Sequence, residues 1–120
     1  MSTIVAISTA PGNSGIGIVR MSGKESIDIL NKIFCSVKKG EPRGYTIRYG
    51  HIKEKNNEII DEVLVSFFIG PKSYTGENMC EINSHGNNIV LKKILDLCIE
   101  NGAELAQPGE FTKRAFINGR

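Results

Sequence analysis

The sequence predicts an α+β (mixed α/β) domain, a two-layer sheet of about five strands with about three helices. Two kinds of segment support this prediction: runs rich in β-branched residues, and runs with apolar residues at helical spacing. Their order along the chain is ββαββ, then βα, then an optional further βα. The 120 residues fit one domain, over residues 1–120, that is long enough to bury a core.

The first part of the chain predicts two strands and a helix. Residues 3–10 and 16–21 are rich in β-branched residues, and the Pro, Gly and Asn between them are typical of a turn. Ser22 and Glu25 have the spacing of a capping box. We therefore expect Ser22 to cap a helix that ends near Cys35.

The middle of the chain predicts a β-hairpin. Residues 45–53 and 59–69 are the two strands, and the Asn-rich segment between them suits a tight turn because Asn tolerates positive φ. Residues 63–69 are apolar at nearly every position. This pattern indicates a strand in mid-sheet that is covered on both faces.

The last part of the chain predicts a strand at residues 78–83, followed by a helix that opens at residues 85–88 and ends at Glu100. A short strand at 104–106 and a final helix beginning near Pro108 follow. The first of these helices has an apolar face at helical spacing. That face consists of Val90, Leu91, Ile94, Leu95, Leu97 and Cys98.

Charge and hydropathy exclude some functions. The net charge is +2, from 15 basic and 13 acidic residues, which is a weak bias for a nucleic-acid-binding surface. Residues 1–50 hold 7 basic and 3 acidic side chains, an asymmetry that could steer an anionic ligand but that chance also explains. No apolar run reaches the roughly 18 residues that a membrane helix needs, and no secretory signal is visible. We expect a cytoplasmic protein without a membrane partner.

Cysteines and histidines give no sign of a metal site. Cys35, Cys80 and Cys98 are widely spaced and lie in mostly apolar stretches, so we expect free, buried thiols. His51 and His85 have no ligand spacing to each other or to a cysteine. No metal ligand is predicted.

Two possible catalytic patterns are weaker than their structural alternatives. Residues 12–17 are glycine-rich but lack the Gly-Lys-Ser/Thr ending of a phosphate-binding loop, and a strand follows them. Cys80 and His85 are better explained as a core cysteine and a turn histidine. We predict no catalytic residue in this chain and no GTP hydrolysis by it alone.

Arg20 and Glu81 are the candidate binding residues. Each interrupts an apolar strand, and a carboxylate in such a strand needs a partner because desolvating an unpaired charge is costly. An ion pair between the two side chains and a ligand held by both are equally good explanations.

Four stretches, in order, resemble the N-terminal domain of the MnmE (TrmE) family of tRNA-modification GTPases. They are TIVA with PG and GIGIVRMSG in residues 3–23, PKSYTGE at 71–77, EINSHG at 81–86 and AQPGEFTKRAFING at 106–119. SYTGE and PGEFTxRAF are highly specific together. The resemblance spans nearly the whole chain.

The resemblance implies a fold similar to folate-binding aminomethyltransferase domains, and a homodimer that holds 5-formyl- or methylene-tetrahydrofolate. Family members continue into a helical domain and a GTPase domain that uses GTP, Mg²⁺ and K⁺. With the FAD- and NADH-using partner MnmG (GidA) they form a heterotetramer. That complex adds a carboxymethylaminomethyl or aminomethyl group to the wobble uridine of certain tRNAs.

The family's folate contacts correspond to Arg20, Glu81 and Arg120 of this sequence. A carboxylate at 81 can accept from the N–H groups of a pterin, and arginines suit the anionic glutamyl tail. Position 120 departs from the usual lysine, and Arg and Lys differ in donor geometry. The alternatives are a stand-alone folate-dependent one-carbon transferase, a dimerisation scaffold without folate, and direct tRNA binding, for which the balanced charge is a poor match.

Overall fold

A mixed β-sheet organises the chain in the computed structural model, which describes residues 1–9 and 14–119. Within those residues the sheet has seven strands and is accompanied by three helices. In chain order the elements are β1 (Ile4–Ile7), β2 (Ser14–Ser22), α1 (Ser26–Ile33), β3 (Phe34–Ser36), β4 (Tyr45–Lys53), β5 (Ile59–Phe68), β6 (Met79–Gly86), α2 (Asn88–Glu100), β7 (Glu104–Leu105) and α3 (Glu110–Ile117).

The strand order across the sheet is β3-β4-β5-β6-β2-β1-β7. Neighbouring strands are antiparallel, except that β7 runs parallel to β1. The predicted α+β class with three helices is confirmed. The strand count is seven rather than about five because the optional last strand forms as β7 and because the chain re-enters the sheet as β3 directly after α1. The helix was expected to end near Cys35, and it ends at Ile33 instead.

Helices α1 and α2 cover one face of the sheet, here called the inner face, and the opposite face is called the outer face. The buried cluster between helices and sheet includes Val19, Val65 and Ile82 from the strands and Leu30 and Ile94 from the helices. Burying such side chains supplies the main stabilisation of the domain, about 1.5–3 kcal/mol for each.

Strand β5 lies in mid-sheet, between β4 and β6, as predicted. Cover on both of its faces was also expected, and that expectation is wrong at Leu64, which is 50% exposed on the outer face. Side chains alternate along a strand, so an apolar run alone does not show what lies above each face.

The predicted capping box at Ser22 is wrong. Ser22 is the last residue of β2, and α1 begins four residues later at Ser26. The Ser22 hydroxyl bonds instead to Thr75 Oγ1 and Glu77 Oε1, each at 2.7 Å. Ahead of the helix, the backbone N–H of Glu25 donates to Thr3 Oγ1 at 3.1 Å.

The predicted hairpin and the helical face of α2 are confirmed. Asn57, in the turn between β4 and β5, has a φ of 68°. Asn87 caps α2 by accepting from the N–H groups of Ile89 and Val90, so the helix begins at Asn88, three residues after His85, which belongs to β6. The buried residues of α2 are Leu91, Ile94, Leu95, Leu97 and Cys98.

Gly17 explains part of the glycine-rich segment. A Cβ at this position would lie 2.6 Å from Leu91 Cδ1, so the glycine lets α2 approach β2 closely. The second predicted strand is confirmed, but it begins earlier than expected. Ser14 and Gly15 were expected in the turn over residues 11–15 and belong to β2 instead, because the strand pairs with β6 from Ser14 onward. Residues 11–13 of that turn lie outside the described residues.

The cysteines are free, but only two are buried. Cys80 and Cys98 lie in the core, where desolvation raises the pKa of Cys80 well above its ordinary value and that of Cys98 to about 12. Cys35 was expected to be buried and is exposed, because it lies in β3, which is an edge strand of the sheet.

Two predicted absences can be compared with the described part of the chain. Over residues 1–9 and 14–119, no cluster of three or more His, Cys, Asp or Glu side chains has the geometry to hold a metal ion. In the same residues, no helix combines the length and the apolar character needed to cross a membrane.

Candidate functional site

Arg20 and Glu81 lie side by side at the centre of the outer face. They are direct partners in the register between β2 and β6, so their side chains leave the sheet on the same side. Arg20 Nε donates to Glu81 Oε2 at 2.7 Å. The two side chains are 25% and 20% exposed, so the pair is only partly shielded from solvent.

Two aromatic rings flank the arginine. The guanidinium carbon of Arg20 is 5.4 Å from the centroid of the Tyr74 ring and 5.5 Å from that of Phe111. Both distances suit a cation–π contact. Tyr74 comes from the loop of residues 70–78 and Phe111 from α3, and the Tyr74 hydroxyl hydrogen-bonds to Thr112 Oγ1.

Part of the hydrogen-bonding capacity of this pair remains unused. Among the described residues, the Glu81 carboxylate accepts only the bond from Arg20 to Oε2, and Arg20 donates only from Nε. Glu81 Oε1 and both terminal nitrogens of Arg20 are therefore open to a ligand. A carboxylate oxygen beside two donors can recognise a group that has both N–H donors and acceptors.

The 70–78 loop is held on the outer face by polar contacts with the sheet. Ser22, at the end of β2, bonds to both Thr75 and Glu77. Within the loop, Ser73 Oγ donates to the Glu77 carbonyl at 2.5 Å, and the Gly70 N–H donates to Asn78 Oδ1 at 2.9 Å. These bonds fix the position of Tyr74 above Arg20.

Arg114 fastens α3 to that loop, and sequence reasoning missed it. Its side chain is only 3% exposed. Nη1 donates to both oxygens of Glu77 at 3.2 and 3.3 Å, and Nη2 approaches Glu110 and Ser2 at 3.4 Å. The available signal was that Glu77 and Arg114 both occur in the stretches that carry the family resemblance.

The structure brings together two of the three predicted folate residues. Arg20 and Glu81 are in contact, whereas Arg120 lies outside the described residues. Cys80 is buried in the core, as predicted. His85 was expected in a turn and lies instead in β6, where it is exposed, because pairing with β2 extends the strand to Gly86.

A second polar cluster surrounds a cavity of about 350 Å³ on the outer face. His85 lines it, and Asp61 accepts from His85 Nδ1 at 2.8 Å and from the His85 backbone N–H at 2.9 Å. The hydrogen bond and the charge of Asp61 raise the pKa of His85 above its ordinary value. Tyr49 donates to Glu62 on the wall of the same cavity, and this bond raises the pKa of the phenol.

Comparison with known proteins gives one consistent result. A family described as "GTP-binding protein TrmE N-terminus" matches residues 3–120. Proteins named "tRNA modification GTPase MnmE" are 55% identical in Streptococcus thermophilus, 52% in Thermoanaerobacter sp. and 48% in Acholeplasma laidlawii. Each alignment covers 98% of this chain but only 26% of the relative.

The match includes both strands that carry the Arg20–Glu81 pair, the 70–78 loop that covers it and the α3 helix. Identities near one half extend over almost the whole chain. The chain therefore belongs to the TrmE N-terminus family, which its relatives carry as about a quarter of a tRNA-modification GTPase.

Proposed function

We propose that this chain binds a reduced folate at the Arg20–Glu81 pair and forms a homodimer. The ligand is 5-formyl- or methylene-tetrahydrofolate. Glu81 Oε1 accepts from the pterin N–H groups, and the free terminal nitrogens of Arg20 hold an acceptor or an anionic group of the same molecule. When bound, the folate supplies a one-carbon unit. Arg120 is proposed as a further contact.

The observation that carries the proposal is that Glu81 Oε1 and the terminal nitrogens of Arg20 form no hydrogen bond with a described residue, although both side chains are held in place. The Tyr74 and Phe111 rings hold the guanidinium of Arg20 in place, so its free donors lose little conformational entropy when a ligand binds. The same rings provide flat apolar surface suited to the planar pyrimidinone ring of a reduced pterin. The residues present therefore fit a reduced folate.

Dimerisation is supported by apolar side chains on the outer face that no described element covers. Tyr49 pairs with Leu64, and Tyr45 with Phe68, across neighbouring strands, so these side chains share one face. The exposed fractions are 65% for Tyr45, 53% for Ile47, 43% for Tyr49 and 50% for Leu64. A contiguous apolar patch of this kind favours association with a second copy.

The wider activity follows from the relatives, of which this chain spans 26%. We propose that the whole protein is a cytoplasmic GTPase that uses GTP, Mg²⁺ and K⁺, with MnmG (GidA) carrying FAD and using NADH. The heterotetramer adds a carboxymethylaminomethyl or aminomethyl group to the wobble uridine of certain tRNAs. In this chain the role is binding and dimerisation, without catalysis.

A second candidate function, a dimerisation scaffold without folate, is favoured by one observation. Arg20 and Glu81 already neutralise each other at 2.7 Å, and neither lines any of four cavities found among the described residues. A stand-alone folate-dependent transferase has less support, because in the described part of the chain neither side chain of the pair is hydrogen-bonded to a Ser, Cys, His or Lys side chain that could act as a nucleophile or base.

Calorimetric titration of 5-formyltetrahydrofolate into the 120-residue chain tests the folate site. Binding by the wild type that is lost in Arg20→Ala and weakened in Glu81→Gln supports the proposal. His85→Gln is the matched control, because it removes a polar outer-face side chain from the same strand as Glu81 and we expect it to bind as the wild type does.

The same samples are examined by analytical ultracentrifugation. A folded dimer that binds no folate contradicts the folate site and supports the scaffold. The titration is then repeated on the full-length protein, to determine whether residues outside this chain complete the site. A monomer that binds folate contradicts the proposed dimer instead.

A further inference from the structure

We infer that the loop of residues 37–44 and the two cavities beside it form a binding surface for the phosphate backbone of RNA. The two cavities have volumes of about 340 and 590 Å³. They share Ile27, Asp28, Glu41 and Pro42 in their walls, so they form one continuous concave surface between the loop and α1. This surface is on the inner side of the molecule, away from the Arg20–Glu81 pair.

Charge is concentrated on this surface. The two cavities are lined by five cationic side chains and two anionic ones, Asp28 and Glu41, which gives a net charge of +3. The entire chain has a net charge of only +2, so the remaining residues sum to −1. The five cations are Lys24, Lys38, Lys39, Arg43 and Arg48. The near balance of the whole sequence conceals this segregation.

The loop is held by its backbone, which leaves its cations to solvent. Thr46 Oγ1 donates to the Arg43 carbonyl and Ser36 Oγ to the Lys38 carbonyl, each at 2.6 Å. Arg48, half-buried below the loop, donates from Nη1 to the Gly40 carbonyl. Hydrogen bonds that use the carbonyls fix the main chain, so less conformational entropy is lost when the side chains bind an anion.

The exposed cations have no competing partner in the described part of the chain. Lys38, Lys39 and Arg43 are exposed, and none of them forms an ion pair with a described residue. They are distributed along the loop rather than converging on one point. A spread of unpaired cations suits the regularly spaced phosphates of a polyanion better than a single bound phosphate ion.

RNA is the polyanion we propose, and in this respect the inference rests on the proposed function, since the relatives are named for tRNA modification. If three loop cations contact phosphates, counterion release gives an affinity that falls about 20- to 40-fold between 50 and 200 mM salt. The contacts position the RNA and carry no sequence information.

Fluorescence anisotropy with a labelled tRNA transcript at both salt concentrations tests the inference. The variant is Lys38→Ala/Lys39→Ala/Arg43→Ala in the 120-residue chain. The control, Lys55→Ala/Lys93→Ala/Lys113→Ala, removes the same charge from exposed positions elsewhere. We expect the loop variant to lose most of the affinity at low salt and nearly all of the salt dependence, while the control keeps both.

Three results would overturn the inference: no tRNA binding by the wild type at 50 mM salt, equal losses in loop variant and control, or release of tRNA by millimolar inorganic phosphate. Poly-glutamate bound as tightly as tRNA through the same lysines would assign the surface to an acidic polypeptide instead. Circular dichroism verifies folding of each variant. Folate titration of the loop variant separates this question from the folate site, which we expect to be unaffected.

Discussion

Arg114 of α3 and Glu77 of the 70–78 loop form an ion pair at 3.2 Å, with exposed fractions of only 3% and 15%. The two residues are 37 positions apart, and their contact joins the helix to the loop above Arg20, together with the Tyr74–Thr112 and Asn118–Thr75 hydrogen bonds. Removing one partner of a buried pair leaves the other charge uncompensated, which typically costs about 3–5 kcal/mol.

We therefore expect Arg114→Met to lower the free energy of unfolding by about 3–5 kcal/mol in urea denaturation. Lys113→Ala, at the exposed neighbouring position, should change it by less than about 0.5 kcal/mol. The double variant Glu77→Gln/Arg114→Met should recover part of the loss because no lone charge remains. A loss for Arg114→Met no larger than that for Lys113→Ala would show that the pair is not structurally important.

The Asp61–His85 pair predicts a pH-dependent contribution to stability. The pKa of His85 is raised in the folded protein, so the contribution is complete below the ordinary histidine value of 6.5 and disappears as pH rises through the folded-state pKa. The stability difference between wild type and His85→Gln should be larger near pH 5.5 than near pH 8.5.

Nuclear magnetic resonance titration of the His85 imidazole provides the direct measurement. Asp61→Asn should lower the His85 pKa, because it removes both the carboxylate acceptor and its charge. An unchanged titration midpoint in that variant would contradict the assigned cause.

The close approach of α2 to β2 predicts a contrast between two glycines. Gly17→Ala places a methyl group 2.6 Å from Leu91 Cδ1 in a packed core, and such overpacking costs about 1–3 kcal/mol. Gly15→Ala is the matched control, because a Cβ there has no atom within 4 Å. Urea denaturation of both variants tests the difference, and equal effects would mean that the helix shifts at little cost.

We expect one of the three cysteines to react in the native protein and the other two to be protected. Cys35 is exposed and should react with an aromatic disulfide reagent in the native protein at mildly alkaline pH. Cys80 and Cys98 are buried and have raised pKa values, so they should react only after unfolding. The measurement is the number of thiols that react per native chain. We expect one in the wild type and none in Cys35→Ser. More than one reactive native thiol would contradict the burial of the other two.

Local patterns predicted the features that neighbouring residues determine. The β4–β5 hairpin and the buried face of α2 follow from alternation, helical spacing and an Asn-rich turn, where Asn57 takes a φ of 68°. Local patterns gave wrong predictions where a residue distant in sequence forms the hydrogen bond that a neighbouring residue was expected to form. Ser22 looks like a helix cap, but its hydroxyl binds Thr75 and Glu77, more than 50 residues away.

The candidate site shows the same division. Arg20 and Glu81 attracted attention because a charge in an apolar strand is costly, and their contact was one of two expected outcomes. Arg114 was missed because an arginine in a short helix with a charged first turn usually lies at the surface. The excess of basic residues in the first 50 positions was visible in the sequence, but only the fold shows that five of those seven side chains line one surface around the 37–44 loop.

The order of strands also determines when the chain can fold during its synthesis. Strand β1 is made first, yet the edge strand β7 that pairs with it and the helix α3 that holds the 70–78 loop come from residues 104–117. These long-range contacts cannot form until those residues have left the ribosome. Until then Glu77 lacks its ion-pair partner Arg114. Strand β1 meanwhile remains an unpaired sheet edge, with which a chaperone or another nascent chain can pair.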